Sequence, residues 1–402
     1  MIDLEIKDKK DCIGCYGCLS ICSQNCITMI SDEEGFWYPS VDYSECIKCG
    51  LCIKVCPIIN KAIAVNDPSA YACMNKNDSI RLESSSGGIF TLMAEEIIDN
   101  NGVVFGAAFD DDFSVIHKYV ESKEQLGELR GSKYVQSRIG DTYKQVKNFL
   151  INGRQVLFSG TPCQIGGLKS YLQYKYDNLF CVDIVCHGVP SPKVWKNYIN
   201  FHKKNSNSQP LSVSFRHKNK GWKLYSVAFL FKENIKYIKT HDKDLYMRAY
   251  LSDICLRPSC YSCKFKSLNR QSDITLADFW GIQNILPEMD DDKGTSLVFI
   301  NSRDGQSMLQ RISEKISYIK VDIYQSVKFN SSSFKSSNYN LKRNEFFNEL
   351  DNLSFERLIG KYCSDKIYIR INRKLRSITK VILRKIGLLD LIKKLINSFR
   401  KI

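Results

Sequence analysis

CIGCYGCLSIC (residues 12–22) and CIKCGLCIKVCP (residues 46–57) each set four cysteines at the same intervals, with two, two and three residues between them. Thiolates two residues apart wrap one side of an iron–sulfur cubane, while the fourth is carried to a second cluster. On that rule Cys12, Cys15, Cys18 and Cys56 bind one 4Fe–4S cluster, and Cys46, Cys49, Cys52 and Cys22 bind the other. Gly14, Gly17 and Gly50 fall in the crowded turns between ligands, where a side chain would meet cluster or backbone. Zinc also takes four thiolates. Its sites, however, pair two C-x2-C units across a longer gap, whereas here four cysteines gather within eleven residues, twice. Pro57 follows its fourth cysteine as such repeats usually require, and Ser23 replaces that proline in the first. Cys26 lies outside the spacing and reads as a small buried apolar residue.

Outward from this module, residues 61–83 read as a connector, and from 84 to 320 helical and strand patterns alternate. Ser86 with Gly87-Gly88 opens a helix over Ile89–Ile98, with Gly102 past its end, and Val103–Phe109 reads as a buried strand. Ser122-Lys123-Glu124-Gln125 has the form of a capping box before a short helix ending at Gly131. Gln155–Phe158 is an apolar strand entering Gly160-Thr161, and Pro162 suits the first turn of the next helix. Phe180–Val185 predicts a strand and Val194–His202 a helix, with later strands at 211–216, 224–231, 273–277 and 296–300. The polar run NSSSFKSSNYNLKRNE (residues 330–345) reads as a linker.

With 402 residues, 44% hydrophobic and 25% charged, the chain has a globular composition and room for two or three domains. The N-terminus lacks the apolar stretch of a secretory signal, and no run of eighteen apolar residues occurs. The expected compartment is therefore the reducing cytoplasm, where seventeen cysteines serve better as metal ligands than as disulfides. The net charge of +15 is concentrated: residues 365–402 hold seven Lys and five Arg against Asp365 and Asp390. That excludes a nucleic-acid-binding face, which would spread its basic residues over a surface. Ile378, Val381, Ile382, Ile386, Leu389, Ile392, Ile396 and Phe399 form a stripe at helical spacing within this tail. Such a basic amphipathic helix suits peripheral contact with the inner membrane surface, and equally suits docking on its own body.

Five further cysteines have distinctive neighbours: Cys163, Cys186, and Cys255, Cys260 and Cys263 in CLRPSCYSC. Cys163 falls at a helix N-terminus, where the macrodipole favours a thiolate. Lone cysteines are mostly inert and buried, but Cys260-x2-Cys263 is a pair. Cys163, Cys186, Cys260 and Cys263 are therefore expected to hold a third 4Fe–4S cluster. His187 beside Cys186 reads as a proton donor or as a structural strand-end histidine.

SSSGG (84–88), RGSKYVQS (130–137), VLFSGTPCQIGGLKSYL (156–172), VDIVCHGVPSPKVW (182–195), RPSCYSCKFK (257–266) and SDITLADFWG (272–281) together resemble the coenzyme F420 hydrogenase/dehydrogenase beta-subunit family. The likeness covers residues 70–330. It implies an α+β protein: an N-terminal bacterial-type dicluster ferredoxin domain (1–62), a mixed α/β flavin-binding domain (70–330), then a linker and basic amphipathic C-terminal helix (331–402). It further implies an oxidoreductase that passes electrons between its clusters, a bound FAD and an organic substrate, in some members a sugar-linked one. Ferredoxin or another redox protein would be the donor or acceptor. By the same resemblance, flavin contacts fall to Ser86, Gly87, Gly88, Ser132, Lys133, Tyr134, Gly160 and Thr161. Gly87-Gly88 and Gly160-Thr161 stand where backbone N–H groups can approach a pyrophosphate, although ordinary turns have the same sequence. Lys133 would offset phosphate charge, and Asp278, Trp280 and Gly281 would finish a strand against the site, with Trp280 also readable as core. The competing expectation is a non-catalytic electron-transfer subunit of a larger redox complex.

Overall fold

Val103, Val104, Phe105, Val156, Leu157 and Phe158 are entirely buried, the mark of strands covered on both faces. In the computed structural model, which describes residues 1–62 and 64–364, these runs sit at the centre of a large sheet. The strands in chain order are β1 (Ile27–Ser31), β2 (Trp37–Val41), β3 (Ser69–Asn75), β4 (Val103–Phe109), β5 (Val115–Val120), β6 (Val156–Gly160), β7 (Leu179–Ile184), β8 (Pro210–His217), β9 (Ser226–Phe231), β10 (Lys236–Thr240), β11 (Ile274–Asp278), β12 (Ser296–Ile300) and β13 (Ile316–Val321).

Eight of them pair in the order β13-β3-β12-β11-β7-β6-β4-β5. The inner four, β4, β6, β7 and β11, are parallel, with Phe105 opposite Phe158 and Phe158 opposite Cys181. Antiparallel strands finish both sides. Alternation assigns the faces. Val104, Leu157 and Val182 meet the helices Ile89–Asp99 and Arg303–Ile312, while Phe105, Phe158 and Cys181 meet Thr142–Ile151 and Pro162–Leu172. A second sheet, β10-β9-β8, packs with the helices Pro192–Ser206 and Leu245–Leu251 around an aromatic core of Trp195, Tyr198, Phe215, Phe229 and Tyr246. The N-terminal module is a β1–β2 hairpin with two short cysteine-bearing helices, Gly17–Ile21 and Leu51–Lys54.

The predicted strands and helices appear within a few residues of their expected ends, with three corrections. Residues 61–83 are not merely a connector. They supply β3, whose Ala70, Ala72 and Cys73 are buried between β12 and β13, and the helix Asp78–Glu83. The capping box at Ser122 does not form, because the helix starts at Leu126 and no side chain caps it. A capping box forms instead at Thr161 and Gln164. Residues 331–364 are not a linker: Phe346, Leu350, Phe355, Leu358 and Ile359 are buried in the aromatic core. Polar residues ahead of them satisfy backbone groups of the body, as Asn330 Nδ2 does on Asp278 O at 3.1 Å and Asn340 Nδ2 on Ser252 O at 2.8 Å. No helix among the described residues is long and apolar enough to cross a membrane. The basic tail lies outside the described residues.

Candidate metal centres and the adjoining pocket

The N-terminal thiols form two neighbouring groups. Cys15 feels the charges of Cys12 and Cys56, and Cys18 those of Cys15, Cys12 and Cys56. Burial first, and this mutual repulsion after it, pushes the Cys15 thiol up to about 12 and Cys18 well above its usual value. Thiols so crowded and desolvated ionise only against a positive centre, which a metal cluster supplies. Cys22, Cys46 and Cys52 pack together with Ile2, Ile27 and Val41, and Cys49 is exposed beside them. Cys26 is buried as expected, but its contacts escaped the sequence: its Sγ lies 3.3 Å from Cys22 Sγ, in the cluster that Cys46 also packs against. Among the described residues no three His, Cys, Asp or Glu side chains converge on a single-ion position.

The module is locked to the body by a few buried contacts. Arg257, wholly buried, donates to Cys12 O at 2.9 Å, Trp37 O at 3.0 Å and Gln136 Oε1 at 3.1 Å, its guanidinium 4.3 Å from the Tyr38 ring centre. Arg343 forms a two-pronged pair with Glu34 at 2.6 and 2.5 Å. Gly14 has a φ of +63°, and a Cβ there would fall 2.5 Å from Gln136 Nε2. A Cβ on Gly167 would fall 2.7 Å from Cys15 Cβ. Cys15 thus rests on the helix Pro162–Leu172, one turn along from Cys163.

Cys163, Cys186, Cys260 and Cys263 arrive from three distant segments and line one small cavity. Cys163 stands in the first turn of Pro162–Leu172, Cys186 follows β7, Cys260 lies within the 3-10 turn Pro258–Ser262, and Cys263 caps that turn. The sequence predicts a thiolate favoured by the helix N-terminus at Cys163. Burial outweighs that pull, and with the charges of Cys263, Cys186 and Cys260 it raises the thiol well above its usual value. Val189 N donates to Cys260 Sγ at 3.4 Å. Cys255 stays apart in the aromatic core. Ile13, which lies between Cys12 and Cys15 in the chain, forms one wall of the cavity. Cys186 to Val189, which also line this cavity, line a larger pocket as well.

That pocket holds about 580 Å³ at the carboxyl ends of β4, β6, β7 and β11, where ligands of open α/β sheets bind. Of the residues predicted to contact a cofactor, Ser86, Gly88, Ser132, Lys133, Tyr134, Gly160 and Thr161 line it. Gly87 does not: its N–H donates to Ser296 Oγ at 2.9 Å and a Cβ would fall 2.4 Å from Cys73 O, so its role is close packing on β3 and β12. Thr161 N is taken by Gln164 Oε1 at 2.8 Å, which leaves that turn as wall instead of anion cradle. The helix Ile89–Asp99, by contrast, begins at Gly88 with no side-chain cap, so its first N–H groups stay open at the pocket's rim. Ser86 Oγ donates to Thr295 O, and Ser132 N to Ser85 Oγ. Lys133 Nζ donates to Glu128 O and Arg130 O, and burial brings its pKa down to about 7.

Asp278 and Trp280 also line the pocket, whereas Gly281 packs under Phe329. Asp278 holds Arg216 through two bonds of 2.6 and 2.9 Å and accepts from Trp222 Nε1 at 2.8 Å. Trp222 in turn stacks on Trp280 at 4.8 Å. Arg216 was not legible as a site residue, since β8 reads only as a strand; nothing local announces a partner in β11. His187 Nε2 lies 2.5 Å from Asp253 Oδ1, with the ring in both cavities.

Residues 153–325 match the family described as the C terminus of the coenzyme F420 hydrogenase/dehydrogenase beta subunit, and residues 11–59 match the 4Fe-4S dicluster domain. The coenzyme F420-dependent sulfite reductase of Methanocaldococcus jannaschii is 26% identical over 193 residues, 46% of this chain and 29% of that protein. Pyruvate synthase subunit PorD of Methanothermobacter marburgensis is 37% identical over 51 residues, 13% of this chain and 53% of that one. This chain therefore spans less than two thirds of either relative. A chain of the xenon-derivatised F420-reducing [NiFe] hydrogenase complex from Methanosarcina barkeri aligns over 74% of this chain and 92% of its own, at 14% identity and a TM-score of 0.43. The dicluster match and the thiol geometry make this an iron–sulfur redox protein. Residues 153–325 are thus similar to the C-terminal region of the coenzyme F420 hydrogenase/dehydrogenase beta subunit, with a 4Fe–4S dicluster domain set ahead of it in the chain.

Proposed function

We propose that this protein is an iron–sulfur flavoprotein oxidoreductase that moves electrons between a protein carrier and an organic substrate in the 580 Å³ pocket. The observation that carries this reading is the four-thiol cavity of Cys163, Cys186, Cys260 and Cys263, which is lined also by Ile13 and shares Cys186 to Val189 with the pocket. In this reading Cys12, Cys15, Cys18 and Cys56 hold one cluster, Cys46, Cys49, Cys52 and Cys22 a second, and the cavity cysteines a third. Exposed Cys49 marks the end at which a ferredoxin or similar carrier would dock. FAD is the cofactor proposed for the pocket: a flavin accepts electrons singly and releases them in pairs. Its pyrophosphate would lie at the uncapped start of Ile89–Asp99, with Ser86, Gly88, Ser132, Lys133 and Tyr134 around it and Gly160 and Thr161 as wall. Coenzyme F420 is the first substrate to try, because the family description names it.

Iron, acid-labile sulfide and flavin are to be measured on anaerobically purified protein. About twelve irons and one flavin per chain are expected, three clusters of four; about eight irons with no extractable flavin would overturn the proposal. A second reading, an electron-transfer subunit without turnover of its own, draws on the chain spanning only 29% of the sulfite reductase it resembles. Turnover of the purified chain with reduced viologen and F420 separates the two. A flavin that reduces without turnover favours the subunit.

A further inference from the structure

Three cations surround the four-thiol cavity: Arg257, Lys266 and Arg270 line it, and no Asp or Glu does. Lys266 Nζ donates only to carbonyls, those of Cys186, Ser332 at 3.0 Å and His187 at 3.4 Å. It has no carboxylate partner among the described residues, and neither has Arg257, whose bonds go to two carbonyls and an amide. Arg270, with a side chain 2% exposed, reaches Ser333 O at 2.9 Å, but its nearest carboxylate oxygen, Asp183 Oδ2, stands 3.8 Å away and its Nε is unpartnered. Burial raises the pKa of Asp183, which weakens it further as a counter-ion.

A buried cation without a counter-ion is costly; Arg257 is wholly buried and Lys266 half-buried with no carboxylate partner among the described residues, and Arg270 is only loosely paired, so an anion in the cavity would offset all three. A 4Fe–4S cluster held by four thiolates is such an anion, and it becomes more negative on reduction. The cations stand close to the ligand backbone: Lys266 Nζ donates to Cys186 O, and Arg257 and Arg270 line the same cavity as Cys260 and Cys263. Of the three cations Arg257 alone also bonds the N-terminal module, at Cys12 O and Trp37 O, whereas the bonds of Lys266 and Arg270 stay within the body.

We infer that Arg257, Lys266 and Arg270 form a cationic collar that makes the cavity centre the highest-potential centre of the three. This rests on the third-cluster reading above. Fixed positive charge favours the more negative, reduced state, so electrons entering at the exposed module settle beside the pocket. Lys266 is the positioning charge best suited to test, because it bonds neutral groups and its replacement strands no buried acid. Glutamine at this position keeps donors for the Cys186 and Ser332 carbonyls and removes only the charge.

The test is an EPR-monitored redox titration of the anaerobically purified full-length protein, with iron counted on the same sample. In the unaltered protein one centre is expected to reduce at a higher potential than the other two. Lys266→Gln should lower that centre alone, and Lys266→Arg should restore it. Loss of four irons in the glutamine variant but not in the arginine variant supports the same role, since the charge then holds the anion in place. Twelve irons with an unmoved potential in Lys266→Gln would overturn the collar while leaving the third cluster standing. Eight irons in the unaltered protein would overturn both.

Discussion

His202 lies in an aromatic nest, 4.2 Å from Tyr237, 4.5 Å from Tyr198 and 4.6 Å from Phe229 between ring centres, and its Nε2 has no partner. Burial chiefly, then the charge of Lys239, lowers its pKa from 6.5 to about 4. A ring depressed in the folded state stabilises the protein fully above 6.5 and progressively less as pH falls toward 4, because only the unfolded chain gains the proton there. The loss approaches about 3 kcal/mol at about one pKa unit per 1.4 kcal/mol. His202→Phe should flatten the fall of the thermal midpoint between pH 7 and 5; an unchanged slope would reject this assignment. The residues legible beforehand were those whose meaning is local. Cysteine intervals state their ligation within eleven residues. Arg257 and Arg216 take their meaning from partners far along the chain, and no window of sequence contains both ends.

Among the elements, the helix Pro162–Leu172 carries a close approach between module and body, and Gly167 permits it. Gly167→Ala gains about 1 kcal/mol of helix propensity, but its methyl meets Cys15, an overpacking cost of about 1–3 kcal/mol. Gly360, in the helix Phe355–Tyr362, has nothing within 4 Å of the same added carbon and isolates the propensity gain. Chemical unfolding should therefore show Gly360→Ala stabilising by about 1 kcal/mol and Gly167→Ala neutral to destabilising, with iron lost from the N-terminal centres. Equal stabilisation by both would mean that the module does not bear on this helix. Apolar runs made β4, β6 and β12 readable from their own residues. The sequence of β3, SAYACMN, is short of Val and Ile and looks like a connector. What makes it a strand is the pair of late neighbours that bracket it, a tertiary cause that overrides weak propensity.

For the whole molecule, the pair Glu34–Arg343 ties the first hairpin to a segment that reads as a polar linker. The misreading has a plain cause: Arg343 looks like one more solvated charge among residues 330–345, and only its buried partner reveals the function. Arg343→Met strands a buried carboxylate and should cost about 3–5 kcal/mol, while the double variant with Glu34→Gln should recover much of it. Limited proteolysis near residues 331–364 reads the difference. A double variant as fragile as the single one would assign the loss to packing instead.

One strand's position bears on how the protein comes into being. β3 is bracketed by β12 and β13, so an element finished by Asn75 waits for Ser296 and beyond before it can pair on either side. At roughly 5–20 residues per second of synthesis, that wait lasts on the order of ten to forty seconds. The dicluster module emerges before the wait begins, and both cysteine repeats lie wholly within the first sixty residues. The two N-terminal centres can therefore take up iron on the ribosome, whereas the third centre proposed for Cys163, Cys186, Cys260 and Cys263 would gain its last ligand more than two hundred residues later. Assembly thus proceeds in the same direction as the conduction proposed here, from the exposed module inward.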